Sequence, residues 1–274
     1  MPFHVCSQAT VHYEQFGEGP DIVWVSGGGD TGSRWHRYQI PHFELRFRNT
    51  TFDNRGIGGT TCDEPWPWPM EAFARDTAEL IEAACEPPVA VVGLSMGALI
   101  TQQLALDRPD LVRCAIAMGT AASSTGWGWD YQKAEIDFRA EGGRLDGMMG
   151  VAHYAAMLYP AHVLGDPELW PRIRADLLEW MESGENEESL LPQWEACLTF
   201  DQTDQLRTCE VPLHVVAFAE DVESPPQDAE IVAALAPTAE LHLFEGMGHG
   251  SIYGHAHDVL NPFIEEIVER YGPP

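Results

Sequence analysis

Apolar positions along this chain fall into two alternating rhythms. Short runs rich in β-branched residues, such as Asp21-Ile22-Val23-Trp24-Val25 and Val89-Ala90-Val91-Val92, have the length and composition of buried strands. Between such runs the apolar spacing changes. From Glu71 to Cys85, Phe73, Thr77, Leu80, Ile81 and Ala84 recur near the helical period. Modest alternation from Val5 to Phe16, followed by the turn residues Gly17-Glu18-Gly19-Pro20, predicts a β-hairpin. Further strands are predicted at Asn49–Phe52, Cys114–Met118, Val211–Phe218 and Glu240–Phe244, and further helices at about 33–38, 98–106, 228–235 and 259–271. Strands alternating with helices indicate a mainly parallel sheet covered on both faces.

The rhythm breaks after Gly119. From Ala121 to Asp204 no buried strand is evident, only helical pieces around Lys133–Arg139, His153–Leu158, Pro171–Met181 and Gln193–Leu198. The expectation is an α/β core domain made of residues 1–120 and 205–274, interrupted by a helical insertion at 121–204. The acidic run Glu182-Ser183-Gly184-Glu185-Asn186-Glu187-Glu188 reads as a solvated turn or helix end with no site in it. The insertion is rich in Trp, Tyr and Met. Most of these residues should form its own core and its seam to the sheet. Trp127, Trp129 and Tyr154 are the candidates for lining a substrate pocket.

Composition narrows the class. The 274 residues carry 15 Lys and Arg against 43 Asp and Glu, a formal charge of −28. Such a surface repels nucleic-acid phosphates and anionic lipid, so a small-molecule substrate is expected and neither of those partners is. The six cysteines lack both CxxC and metal-ligand spacing and read as buried small hydrophobes in a reducing compartment. The chain has no basic leader followed by an apolar run and no membrane-length apolar stretch, so a cytoplasmic enzyme is expected.

Within this frame one stretch carries chemistry. The Val89 strand runs into Gly93-Leu94-Ser95-Met96-Gly97, and a helix-forming run follows at once. Strand, sharp Gly-x-Ser-x-Gly turn and helix make the context of a nucleophile elbow. Read alone, the pentapeptide fits equally well an ordinary strand-to-helix turn whose serine caps the helix.

With family-like motifs from near the N-terminus to the last helix, the chain resembles the α/β-hydrolase superfamily, and within it the uninterrupted elbow and the run from Gln193 to Asp204 resemble the esterase and 3-oxoadipate enol-lactonase-like branch. The resemblance implies an α/β-hydrolase fold, a mainly parallel eight-stranded sheet with flanking helices, and a helical lid. It also implies the triad order Ser, Asp or Glu, His. Ser95 takes the first place. In Ala219-Glu220-Asp221-Val222-Glu223-Ser224-Pro225 the family's turn, with its acid four residues ahead of a proline, selects Asp221 over its neighbours Glu220 and Glu223. His249, in Glu245-Gly246-Met247-Gly248-His249-Gly250, takes the last place. The oxyanion donors implied are the Met96 and Gly28 N–H groups, with Ser26 standing where the family usually has histidine. Asp53-x-Arg55-Gly56-x-Gly58 resembles a structural signature.

A serine hydrolase acting on a carboxylic ester or lactone, without metal or cofactor, follows from the resemblance. Hydrolysis of a C–C bond in vinylogous diketones is the alternative, although that branch usually has an aromatic residue after the histidine where Gly250 stands here. Cofactor-free perhydrolases are a third branch and usually place a bulky residue at the Gly28 position. A non-hydrolytic or catalytically silent role remains as a different class. His255 and His257 form an HxH without an evident third ligand, so no metal site is expected.

Overall fold

A computed structural model describes residues 2–182 and 187–272, so residues 183–186 of the acidic run lie outside the described residues. The chain opens with β1 (Phe3–Val5), β2 (Thr10–Phe16) and β3 (Asp21–Val25). A 3₁₀ turn at Gly32–His36 and the one-turn α1 (Ile40–Phe43) stand where a single helix over 33–38 is expected. Pro41, in the first turn of α1, has no N–H to continue a helix begun earlier. Then come β4 (Arg48–Phe52), α2 (Met70–Ala84), β5 (Val89–Leu94), α3 (Met96–Asp107) and β6 (Val112–Met118).

Between β6 and β7 the described elements are all helical: α4 (Gly126–Ala140), α5 (Gly147–Leu158), α6 (Ala161–Leu164), α7 (Leu169–Glu182) and α8 (Glu187–Leu198), followed by a 3₁₀ turn. The chain closes with β7 (Leu213–Phe218), α9 (Pro226–Leu235), β8 (Ala239–Phe244) and α10 (His257–Arg270). The strands form one eight-stranded sheet of order β1-β2-β4-β3-β5-β6-β7-β8. Only β2 runs antiparallel to its neighbours; β4, β3, β5, β6, β7 and β8 are parallel.

The central strands are buried on both faces, and their alternation deals residues to two cores. Val23, Val91, Ala115 and Val215 pack with Phe73, Leu80, Ile100 and Val232 on one face. Ile22, Trp24, Val92, Ile116 and Val216 pack with Trp35, Phe43, Leu260 and Ile264 on the other. The inserted helices add a smaller cluster of their own around Val151, Tyr154, Tyr159, Val163, Ile173 and Leu177. Cys6, Cys114, Cys197 and Cys209 are buried, and all six cysteines are free thiols. No helix among the described residues is long and apolar enough to cross a membrane.

The parallel register brings the C-terminal ends of β3, β5, β6, β7 and β8 to one edge of the sheet, where loops from distant parts of the chain meet. The Asp53–Gly58 stretch is structural. Asp53 accepts from the Gly32 N–H (2.9 Å), the Gly59 N–H (2.8 Å) and His12 (2.8 Å). The Arg55 guanidinium is buried against Asp76, with both contacts at 2.8 Å.

Candidate active site

Ser95 joins β5 to α3 with φ 57° and ψ −125°, the one non-glycine at positive φ among the described residues. Such a conformation costs about 1–3 kcal/mol and persists only where its surroundings hold it. Here a side chain on Gly93 would run into the Gly97 carbonyl and the Thr101 hydroxyl, and one on Gly97 would run into the Val25 carbonyl. The Ser95 N–H donates to Met118 O on β6 (3.0 Å). Strand, turn and helix thus pack backbone against backbone. Ser95 is left at the N-terminus of α3, where the Met96 N–H has no intrahelical acceptor.

The turn after β7 carries Asp221. Its Oδ1 accepts the N–H groups of Glu223 (2.9 Å) and Ser224 (2.8 Å), and its Oδ2 lies 2.7 Å from His249 Nδ1. Glu220 points elsewhere, half exposed and 3.7 Å from His162. The imidazole lies over Gly119, at the end of β6, where a Cβ would come within 2.9 Å of His249 Cε1. His249 Nε2 is buried without a hydrogen-bond partner, and Glu223 Oε2 is 3.9 Å away. Burial alone would depress the basicity of His249, but the charges of Asp221 and Glu223 push its pKa up to about 9.

The loop after β3 supplies Gly28. Ser26 supports that loop in its own way: its hydroxyl accepts from Trp35 Nε1 (3.0 Å) and donates to Thr31 O (3.0 Å). A residue of α8 also braces it. The Gln193 amide accepts from the Gly29 N–H (2.9 Å) and donates to Arg55 O (3.0 Å), and its side chain is fully buried. A Cβ on Gly28 would come within 2.9 Å of Trp194 Nε1, so the indole closes over the glycine.

These groups meet at a cavity of about 160 Å³, whose lining includes Gly28, Ser95, Met96 and His249. The inserted helices contribute Trp129, Tyr131, Glu135, Tyr154, Trp180 and Trp194. Trp127 is a correction to the sequence reading. It does not line this cavity; it is 57% exposed and its indole donates to Val222 O (2.8 Å). Because α4 begins at Gly126, several residues earlier than its apolar spacing suggests, Trp127 falls on its outer first turn. A second chamber of about 440 Å³ shares Asp30, Arg34, Tyr154, Trp180 and Tyr253 with the first.

Asp30, Arg34 and Tyr253 are functional candidates that the sequence reading did not single out; it weighed Glu223 only as an alternative to Asp221, and Gln193 only as the start of the run to Asp204. Asp30, directly after the three glycines of the β3 loop, carried a positional signal. His255 and His257 do not converge: His257 caps Gly254 O (2.6 Å), while His255 packs near Tyr159 and His162. The group among the described residues whose ligand atoms do converge is His214, Glu240 and His242, on β7 and β8. Its members are already engaged, His214 with His242 (3.0 Å) and Glu240 with Arg270 (3.0 Å).

Comparison with known proteins gives a consistent picture. The model of the alpha/beta hydrolase family matches residues 22–261. BpoC of Mycobacterium tuberculosis (strain ATCC 25618 / H37Rv), provisionally named a non-heme bromoperoxidase, is 30% identical over 248 residues, covering 86% of this chain and 89% of that protein. The crystal structure of BpoC superposes with a TM-score of 0.91 at 26% identity, covering 98% of this chain and 99% of that one. 3-Oxoadipate enol-lactonase 2 of Acinetobacter baylyi is 24% identical over 265 residues, covering 95% of this chain and 94% of the enzyme.

Proposed function

The chain belongs to the alpha/beta hydrolase family, and on that premise we propose that it is a serine hydrolase cleaving a carboxylic ester or lactone through an acyl-enzyme. Ser95 is the nucleophile, His249 the base and Asp221 its acid partner. One observation carries the reading. His249 Nδ1 is held at 2.7 Å by Asp221, while Nε2 stands unpartnered at the cavity that Ser95 lines.

A serine hydroxyl is a weak nucleophile at its own pKa. As Ser95 Oγ adds to the carbonyl carbon, His249 Nε2 takes its proton and Asp221 stabilises the imidazolium. The negative charge on the carbonyl oxygen is met by the Met96 and Gly28 N–H groups, aided by the N-terminus of α3. Collapse expels the alcohol oxygen, which takes the proton back from Nε2. Water then repeats the cycle on the acyl-enzyme, releasing the acid. Every step uses groups of this chain. Residues 121–204 act as the lid, with Trp129 and Tyr154 among its substrate-facing residues.

The name of BpoC favours a second reading, in which hydrogen peroxide intercepts the acyl-enzyme and gives a peracid. Here the position where perhydrolases carry bulk is Gly28, with Trp194 packed over it. A fluorophosphonate probe tests the main reading, because it reacts only with an activated serine. It should label the wild type and not Ser95→Ala, and ester hydrolysis should stop with it. Hydrolysis that survives in Ser95→Ala would refute the reading.

A further inference from the structure

Acidic side chains outnumber basic ones in the lining of the catalytic cavity. Asp30, Glu135, Glu223 and Asp228 line it, against Arg34 as the one guanidinium in that lining. Asp30 is 3.8 Å from Arg34, which itself stacks 4.7 Å over the Tyr253 ring, and Glu135 is 3.2 Å from Arg139. Glu223 has no arginine or lysine partner among the described residues. Among the described residues the one positively chargeable group within 4 Å of it is His249 Nε2, and burial beside Asp221, Glu135 and Asp30 raises the pKa of Glu223. Two polar atoms at the same cavity, His249 Nε2 and the Tyr253 hydroxyl, are buried with no partner at all. The walls around them are the rings of Trp129, Tyr131, Tyr154, Trp180, Trp194 and Tyr253. Aromatic faces carry negative charge density, and together with a carboxylate they make a favourable seat for an ammonium group.

We propose that this cavity contains a cation subsite, centred on Glu223 and walled by aromatic rings, that receives an ester bearing an ammonium group on its alcohol side. For the word ester it rests on the serine-hydrolase reading. The side is set by geometry. His249 Nε2 returns its proton to the leaving oxygen, and Glu223 Oε2 is 3.9 Å from that same nitrogen. A cation resting on Glu223 is therefore a neighbour of the leaving group. A spacer of about two carbon atoms suits it, since polar partners approach to about 3 Å. A carboxylate-bearing lactone fits the cavity poorly. Of the arginines in the insertion, Arg139 is directed at Glu135 and Tyr154, Arg144 lies near Asp146, and Arg172 and Arg174 are exposed.

The subsite also bears on the base. The groups facing His249 are Asp221 and Glu223 from the turn after β7 and Asp30 from the loop after β3, and all three favour the imidazolium. A substrate cation on Glu223 cancels one of these charges and frees the imidazole to accept a proton. The acid limb of kcat, which titrates the substrate-bound enzyme, therefore lies at lower pH for a cationic ester than for its neutral isostere.

Acetylcholine and 3,3-dimethylbutyl acetate, which differ in one charged atom, test this by pH-stat titration. The expected kcat/KM ratio favours acetylcholine by about tenfold or more. Glu223→Gln brings the ratio toward one and merges the two acid limbs, and Glu223→Asp retains part of the preference. Tetramethylammonium, followed by tryptophan fluorescence, should bind the wild type and Ser95→Ala but not Glu223→Gln, with equal thermal unfolding checked for all three. If Ser95 cleaves both esters with a ratio near one, the subsite is refuted and the hydrolase reading stands. If neither ester is cleaved and Ser95 resists the fluorophosphonate, the hydrolase reading fails. Glu223-dependent tetramethylammonium binding would then still uphold the subsite, and equal binding to Glu223→Gln would refute it.

Discussion

The two sides of the cavity that Ser95 and His249 line are built from different materials. On the side of Ser95, positions are set by main chain: Gly93 against Gly97, Gly97 against Val25, and the Ser95 N–H on Met118 O. On the side of the inserted helices they are set by side chains. The Tyr154 hydroxyl donates to Glu135 (2.5 Å) and accepts from Arg139 (2.6 Å), and the Tyr131 hydroxyl meets His153 (3.0 Å). A surface made of backbone contacts tolerates almost no substitution, because any added Cβ collides. A surface made of side chains is rewritten by exchanging them. On the proposed reading the reaction sits on the first side, and the choice of acyl chain on the second.

The hardest test of this division is removal of the reacting groups. Ser95→Ala and His249→Ala should each lower kcat by about four orders of magnitude or more, and the double variant should be little worse, because the two act on one proton transfer. Steady-state kinetics showing additive losses would break the unit apart. The next effect is nearly as large and sharply local. Asp221→Asn should cost about three to four orders of magnitude, since only the carboxylate on Nδ1 sets the imidazole tautomer, while Glu220→Gln should stay within about twofold. A severe Glu220→Gln would place the acid one residue earlier. The smallest effect belongs to the other side of the cavity. Across p-nitrophenyl esters kcat/KM should rise by at most about fourfold per acyl methylene, the worth of burying about 0.8 kcal/mol, until the chamber fills. Trp129→Ala and Trp194→Ala should flatten that rise and spare acetate. A flat profile in the wild type would mean the inserted helices do not select the acyl chain.

The same division explains what could be read from the chain alone. Strands such as Asp21–Val25, found with the bounds expected, were legible because a buried parallel strand needs an unbroken apolar run. The elbow was legible because backbone crowding leaves only glycine at two fixed places. Residues whose roles depend on a partner far along the chain left no such trace. Glu223 is one more acid in a chain full of them until β7 and β8 bring it to His249. Trp127 and Trp129 are two residues apart on one helix, yet one reaches solvent and Val222 O while the other reaches the cavity. Apolar composition predicted an aromatic wall, but the choice of which rings build it is made by helix phase and by where α4 begins.

Gln193 has a consequence for engineering. Its amide ties the loop that carries Gly28 to the segment that carries Arg55, and it comes from α8. Selectivity in this fold invites transplantation of a whole helical insertion from one relative to another, as if it were a separable module. In this chain such a graft would need to bring a hydrogen-bonding amide to this one point. An apolar replacement would strand the Gly29 N–H and the Arg55 carbonyl in a dry site, at about 1–3 kcal/mol each. The first property lost would be the placement of the loop proposed to hold the oxyanion, so a chimera designed to change what is cleaved would instead lower how fast anything is.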